Sequence, residues 1–210
     1  MMNKMIKMEE NGLMTNDLIF AKVRPSAIIP TKKDENAGYD IYANFEEDFM
    51  VIPPHSTKLI PTGIASATTD NYYLQVHERG STGSKGMKYG AGVIDSSYRG
   101  EIFICINNTN NVEIVISKLT LDELIEKYGE TEDFYEGEYV FLRYGDDKYD
   151  YACLADSKYD NISIIHPYDK AIAQLIVHEV PKMNVREITY EELIAIPSER
   201  GSGALGSSGK

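Results

Sequence analysis

The chain has 210 residues, 42% of them hydrophobic and 26% charged, the proportions of a globular protein built on one domain with additions. Its formal net charge of -12 speaks against a nucleic-acid binder, which neutralises phosphates with clustered Lys and Arg. Two cysteines, Cys105 and Cys153, are too few for a disulfide framework, and no apolar run approaches the ~18 residues of a membrane span, so the expectation is a cytoplasmic protein without a membrane partner.

Residues 1–18 carry lysines but no continuous apolar core, and read as a leader rather than a signal peptide. From Asp17 to Ala67 the texture is β. The runs "LIFAKV", "YDIYANF", "DFMVIPP" and "STKLIPTGIA" are short, rich in β-branched and aromatic residues, and cut by Pro, Gly and Asn. "NYYLQVHERG" and "GVIDSSYRGEIFICINN" continue the pattern, the second reading as a hairpin with Asp95 and Tyr98 at its bend. Strands this short and closely spaced predict a barrel or sandwich.

Residues 111–165 read as an acidic insert, with 14 acids against 5 bases, so that -9 of the formal -12 falls there. Within it "SKLTLDELIEKYG" predicts a helix. Thr120 and Glu123 form a capping-box pattern, Leu121, Leu124 and Ile125 share a face, and Gly129 marks the stop. A hairpin is expected to follow, turning at Gly145-Asp146-Asp147. Its tyrosines suit hairpin packing or a recognition surface. β-texture returns in "NISIIHPYDKAIAQLIVHEVP", and a polar connection leads to "SERGSGALGSSGK". That end reads either as a flexible tail or as an arm of backbone donors with Arg200, suited to a polyphosphate.

Five segments stand in a fixed order: "AGYDIYA" (37–43), "ERGSTG" (78–83), "AGVIDSSYRGEI" (91–102), "AIAQLI" (171–176) and "RGSGALGSSG" (200–209). Together they resemble the trimeric dUTPase family, which hydrolyses dUTP to dUMP and pyrophosphate. The resemblance spans most of the chain outside the leader and the insert. It implies a mostly β, jelly-roll barrel (19–110 and 166–198) carrying a small α+β insert, and a C-terminal phosphate-binding arm (199–210). It further implies a homotrimer with sites shared between subunits, and a Mg2+ ion on the triphosphate.

Residue by residue, the resemblance makes Asp95 the group that positions and deprotonates the attacking water. Gly92 and Ile94 read the base through their backbone, and Tyr98 lies against the deoxyribose. Arg79, Gly80, Ser81, Gln174, Arg200, Ser202 and Gly203 hold the phosphates, and Asp40 reaches the metal through water. The residue types suit these tasks. A carboxylate can take a proton, guanidinium binds phosphate in a two-pronged fork, and glycine lets backbone N–H groups approach an anion.

The chain departs from the family pattern at three places. Arg79-Gly80-Ser81 replaces Arg-Ser-Gly, so either Ser81 or the Gly80 N–H takes the phosphate. Ala171 stands where a basic residue is common. Leu205 occupies the slot of a phenylalanine that stacks on uracil, leaving Leu205, Tyr89 or another aromatic as the cover. His55, His77, His166 and His178 show no ligand spacing. A dCTP deaminase-type enzyme on the same fold is the alternative activity. A regulatory partner docking on 111–165 is the alternative role, a layout also found in some phage enzymes of the family.

Overall fold

The computed structural model describes residues 16–128, 151–156 and 159–202. In chain order its elements are β1 (Leu18–Lys22), β2 (Gly38–Ile41), β3 (Phe49–Ile52), β4 (Thr57–Pro61), β5 (Ile64–Thr68) and β6 (Tyr72–His77). There follow α1 (Gly80–Gly83), β7 (Met87–Gly90), β8 (Val93–Ile94), β9 (Phe103–Asn108), β10 (Ile114–Ser117) and α2 (Leu121–Tyr128). The last are β11 (Tyr151–Asp156), β12 (Tyr159–Pro167), β13 (Ala173–Glu179) and α3 (Tyr190–Ile194). The sheets run β1-β5, β2-β13-β6-β8, β4-β9-β7 and β11-β12-β10-β3. All pairs are antiparallel except β10 with β12. Strands far apart in sequence lie side by side, as in the expected jelly-roll.

Alternation builds the core. In β9 Ile104, Ile106 and Asn108 point inward while Phe103 and Cys105 face out. Ile41, Ile52, Ile60, Ile64, Leu74 and Leu175 meet them, all at most 1% exposed. Each such side chain contributes about 1.5–3 kcal/mol on burial. Gly63, at φ +66°, divides "STKLIPTGIA" into β4 and β5, and a Cβ there would come within 2.8 Å of Ala27 and Asn44.

The start of the acidic segment belongs to this core. β10 pairs with β3 and is buried at all four positions. Ile114 and Ile116 join the main core, while Val115 packs with Leu124 of α2 and with Ile165 in a second cluster on the opposite face. A strand covered on both faces reads as a continuous apolar run, and "IVI" is one. α2 has the expected cap: the Thr120 N–H donates to Glu123 Oε2 at 2.7 Å and the Glu123 N–H to Thr120 Oγ1 at 3.3 Å. The Leu121 and Ile125 side chains, the stop at Gly129 and the turn at Gly145-Asp146-Asp147 lie outside the described residues.

The hairpin expected across Asp95 is not formed. β8 pairs with β6, and β9 pairs with β4 and β7, so the two flanks of the turn are held by different neighbours. Gly92 makes this possible. Its carbonyl accepts from the Val76 N–H at 2.8 Å, and a Cβ there would lie 2.6 Å from Gln75 Nε2. The flanks are drawn apart and a cleft opens between them.

The described residues up to Val180 form one compact unit and those from Pro181 a second. Residues 181–198, grouped with the barrel in the sequence reading, fall in the second. Its described part, 181–202, contains α3 where a polar connection is expected. Thr189 and Glu192 cap it reciprocally, at 2.8 and 3.2 Å.

Candidate active site

β13 lies between β2 and β6, and this pairing gathers the first cluster. Gln174 stands opposite Asp40 on one side and His77 on the other. Two residues beyond His77 the chain leaves β6 and presents Arg79 at the start of α1. The Arg79 guanidinium grips Asp40, with Nε donating to Oδ1 at 2.8 Å and Nη2 to Oδ2 at 3.2 Å. Its Nη1 reaches Ser81 Oγ and the Ala171 carbonyl, both at 3.4 Å. Gln174 donates to the Glu78 carbonyl at 2.7 Å. A Cβ on Gly38 would lie 2.3 Å from Gln174 Oε1, which explains the glycine of "AGYD".

Asp40, Arg79, Gly80, Ser81 and Gln174 line one polar cleft of about 470 Å³. Gly80 borders open space, since a Cβ there would meet nothing within 4 Å. Both candidates for the shifted phosphate contact, Gly80 and Ser81, therefore face the cleft. The rim holds an arginine fork, a serine hydroxyl and an amide, a set suited to phosphate oxygens.

The second cluster is the cleft of about 250 Å³ opened by the splayed flanks. Ile94, Asp95, Tyr98, Phe103 and Cys105 line it. The Tyr98 N–H donates to the Asp95 carbonyl at 3.1 Å, closing the turn, and the Tyr98 hydroxyl donates to the Glu101 carbonyl at 3.0 Å. Asp95 is exposed, because the turn projects beyond the last pair of β8. Leu59, Val93 and Phe103 add apolar surface that is 58%, 58% and 43% exposed, suited to cover an aromatic ring.

The two clefts share no lining residue. One chain thus brings Asp40, Arg79, Gly80, Ser81 and Gln174 together, and brings Ile94, Asp95 and Tyr98 together, in separate places. Arg200 and Ser202 belong to the second unit and are exposed. Gly203 and Leu205 lie outside the described residues.

Tyr89 does not line this second cleft. Its hydroxyl donates to the Ile172 carbonyl, and burial pushes its pKa up to about 12 against the opposing Thr82 hydrogen bond, so it stays protonated. It braces β7 against the approach to β13. Thr82, fully buried, accepts from the Arg79 N–H at 3.1 Å and sets the start of α1. Sequence reasoning passed over Thr82, although its place three residues after Arg79 is a capping spacing. Of the histidines, His166 is 3% exposed with its pKa pushed down to about 4 by burial. His55 contacts Asn111 at 2.8 Å, and His178 stacks on Tyr73. Among the described residues no three His, Cys, Asp or Glu side chains come together as a metal site, and no helix is long and apolar enough to cross a membrane.

Residues 24–120 match the family model described as dUTPase. A probable deoxyuridine 5'-triphosphate nucleotidohydrolase of Schizosaccharomyces pombe is 37% identical over 97 residues, 45% of this chain and 67% of that protein. Among solved structures, a mutant of the Staphylococcus bacteriophage 80alpha dUTPase with dUpNHpp superposes with a TM-score of 0.62 at 23% identity, covering 93% of this chain and 100% of that one. A mutant dUTPase from phage phi11 of S. aureus, described with a structural Mg(II) ion, gives 0.55 at 20% identity over 84% and 99%.

Proposed function

This chain belongs to the dUTPase family and hydrolyses dUTP, and from that premise we propose that its active site is assembled between copies of the chain in a homotrimer. One observation carries the proposal: Asp95 and Arg79 line different clefts of one chain. Chemistry on a nucleoside triphosphate needs the base slot and the phosphate cradle on one substrate. A copy that lays its Asp95 turn against a neighbour's Arg79 cleft satisfies both, and also covers Leu59, Val93 and Phe103.

In that site Ile94, which lines the cleft, and the N–H of Gly92, whose carbonyl is held by Val76, read uracil through the backbone, and a ring bearing a different edge leaves those groups unpaired. Tyr98 lies against the deoxyribose. Asp95 orients a water and takes its proton as the water oxygen bonds to the α-phosphorus. The bond to the bridging oxygen breaks and pyrophosphate leaves. Arg79, Ser81, Gln174 and Arg200 hold the phosphate oxygens, and this positioning supplies much of the rate.

The donor set suits Mg2+. Asp40 is a half-exposed carboxylate in a polar cleft, and Mg2+ is commonly held by one or two carboxylates with phosphates and waters. Bound there, the ion would neutralise phosphate charge. Asp40 would meet it through water, and would do so while sharing its carboxylate with Arg79. The direct test follows pyrophosphate release from dUTP, dTTP, dCTP and UTP, with and without Mg2+, and ammonia release from dCTP. Hydrolysis selective for dUTP and dependent on Mg2+ is the expected result. Ammonia from dCTP would return the deaminase alternative.

Removing residues 199–210 is expected to leave a folded protein that binds dUMP normally but hydrolyses dUTP at least about tenfold more slowly, since Arg200 serves the phosphates dUMP lacks. Calorimetry with dUMP beside steady-state turnover checks this. Unchanged turnover would make the arm a linker.

The acidic segment is proposed as a docking surface for a basic regulatory protein, with charge steering the encounter. Residues 129–150 alone hold eight acids against two bases. Replacing all of 111–165 would remove β10 and β12 and is expected to unfold the chain. Replacing only 129–150 with a Gly/Asn linker is expected to keep turnover while losing salt-sensitive pull-down of the partner. Lost turnover in a folded protein would place that segment in the active site instead.

A further inference from the structure

At the edge of the base cleft a polar network is joined to Tyr98 through Glu101, which itself lines the cleft. Glu101, its side chain 12% exposed, ends the turn that begins at Asp95. Its carboxylate is gripped by the Arg24 guanidinium: Nη1 donates to Oε2 at 3.0 Å and Nη2 donates to Oε1. The same Oε1 accepts from the Gly63 N–H at 2.7 Å. Arg24 is itself aimed by Asn44, donating from Nε to Oδ1 at 2.7 Å and from Nη2 to the backbone carbonyl at 3.0 Å. Asn44, 3% exposed, donates in turn to Ser26 at 3.0 Å.

Tyr98 has the opposite character. It is 44% exposed, and its hydroxyl is tied to the carbonyl of Glu101. The ring lies directly on Gly100, where a Cβ would come within 2.4 Å of the hydroxyl oxygen. The direction of that ring is therefore set by the peptide that carries Glu101. A fork-to-fork pair admits essentially one geometry, so it fixes that peptide more narrowly than a lone hydrogen bond would.

We propose that Arg24 and Glu101 are positioning residues that set sugar selectivity, holding Tyr98 where a ribose 2′-hydroxyl would collide with it. Arg24 is not among the residues lining the cleft, and Glu101, which is, acts here by holding the peptide whose carbonyl takes the Tyr98 hydroxyl. The assignment rests on the reading that Tyr98 lies against the deoxyribose. It accounts for an Arg24–Glu101 ion pair, with side chains 33% and 12% exposed, at a cleft whose remaining lining apart from Asp95 and Tyr98 is apolar.

The test uses full-length Arg24→Lys, Glu101→Gln and the double variant. Three quantities are read: kcat/KM for dUTP over UTP, the affinity for dUMP over UMP by calorimetry, and the melting temperature. Each single variant is expected to lower both selectivity ratios about tenfold while kcat on dUTP stays within about threefold. The double variant is expected to lose no more than the worse single, because each residue acts through the other. If the variants melt lower but keep their selectivity, the pair is structural and the proposal fails. If Glu101→Gln does not fold, Arg24→Lys, which keeps the charge and removes only the fork, decides alone. A wild-type protein that does not prefer dUMP over UMP overturns the reading of Tyr98, and the proposal with it. Preference in the wild type retained by the variants overturns the pair alone.

Discussion

Asp95→Asn is expected to bind dUTP with near-native affinity and to lose about 10²–10⁴-fold in kcat, the contribution of a positioned general base. Asparagine keeps the shape of the side chain but takes no proton from water. The turn should survive the change, because its closing bond joins the Tyr98 N–H to the backbone carbonyl of residue 95, not to the carboxylate. Turnover within a few-fold of the wild type would remove Asp95 from the chemistry. Unaltered melting with the expected loss in kcat separates a chemical role from a structural one.

Arg79→Ala carries the second large expectation, a fall of about 10²–10³ in kcat/KM, the usual consequence of removing a donor aimed at developing phosphate charge. The loss has two sources. The positive guanidinium beside the phosphates, with the Nη1 donor its pairing leaves over, is gone, and Asp40 loses both of its Arg79 contacts, at 2.8 and 3.2 Å. Arg79→Lys should restore little, since an ammonium cannot hold two oxygens at fixed spacing. Steady-state kinetics on all three proteins checks this, and wild-type-like Arg79→Lys would show that charge alone suffices.

The two variants together examine the shared site. Each alone is expected to retain no more than about a hundredth of wild-type turnover. In an equimolar co-refolded mixture, a site that takes Asp95 from one copy and Arg79 from another is intact at roughly a quarter of all sites, so turnover should return to about that fraction of the wild type. A site drawn from one chain stays dead in every mixture. Measured activity of the mixed sample therefore decides whether the separation of the two clefts in one chain is closed by a neighbour.

Much of this was legible in the residues. Strand positions followed from short β-branched runs between breakers, because a half-buried strand needs alternation and a turn needs Gly, Pro or Asn. The α2 cap was readable in Thr120-x-x-Glu123, and the same signal at Thr189-x-x-Glu192 marked α3 inside a stretch that otherwise reads as a polar connection. Residue types named the chemistry at Asp95, Arg79 and Gln174, since few other side chains suit those tasks. The sequence by itself therefore determined the β-rich class, the order of the motifs and the kinds of group available.

Pairing decided the rest. Gln174 meets Asp40 only because β13 enters between β2 and β6, a partner choice made across more than a hundred residues. The Asp95 turn became a cleft, not a hairpin, because β8 and β9 each found a better neighbour than the other. Ile114–Ser117 proved to be core, though its acidic surroundings pointed to an insert, because burial on both faces depends on what packs above and below the strand. The grip of Arg24 on Glu101 has no local signature at all. Local pattern records the period of a segment and the chemistry of its side chains, whereas the choice of partner is made by the whole set of strands competing to bury one core, and only the tertiary structure shows its outcome.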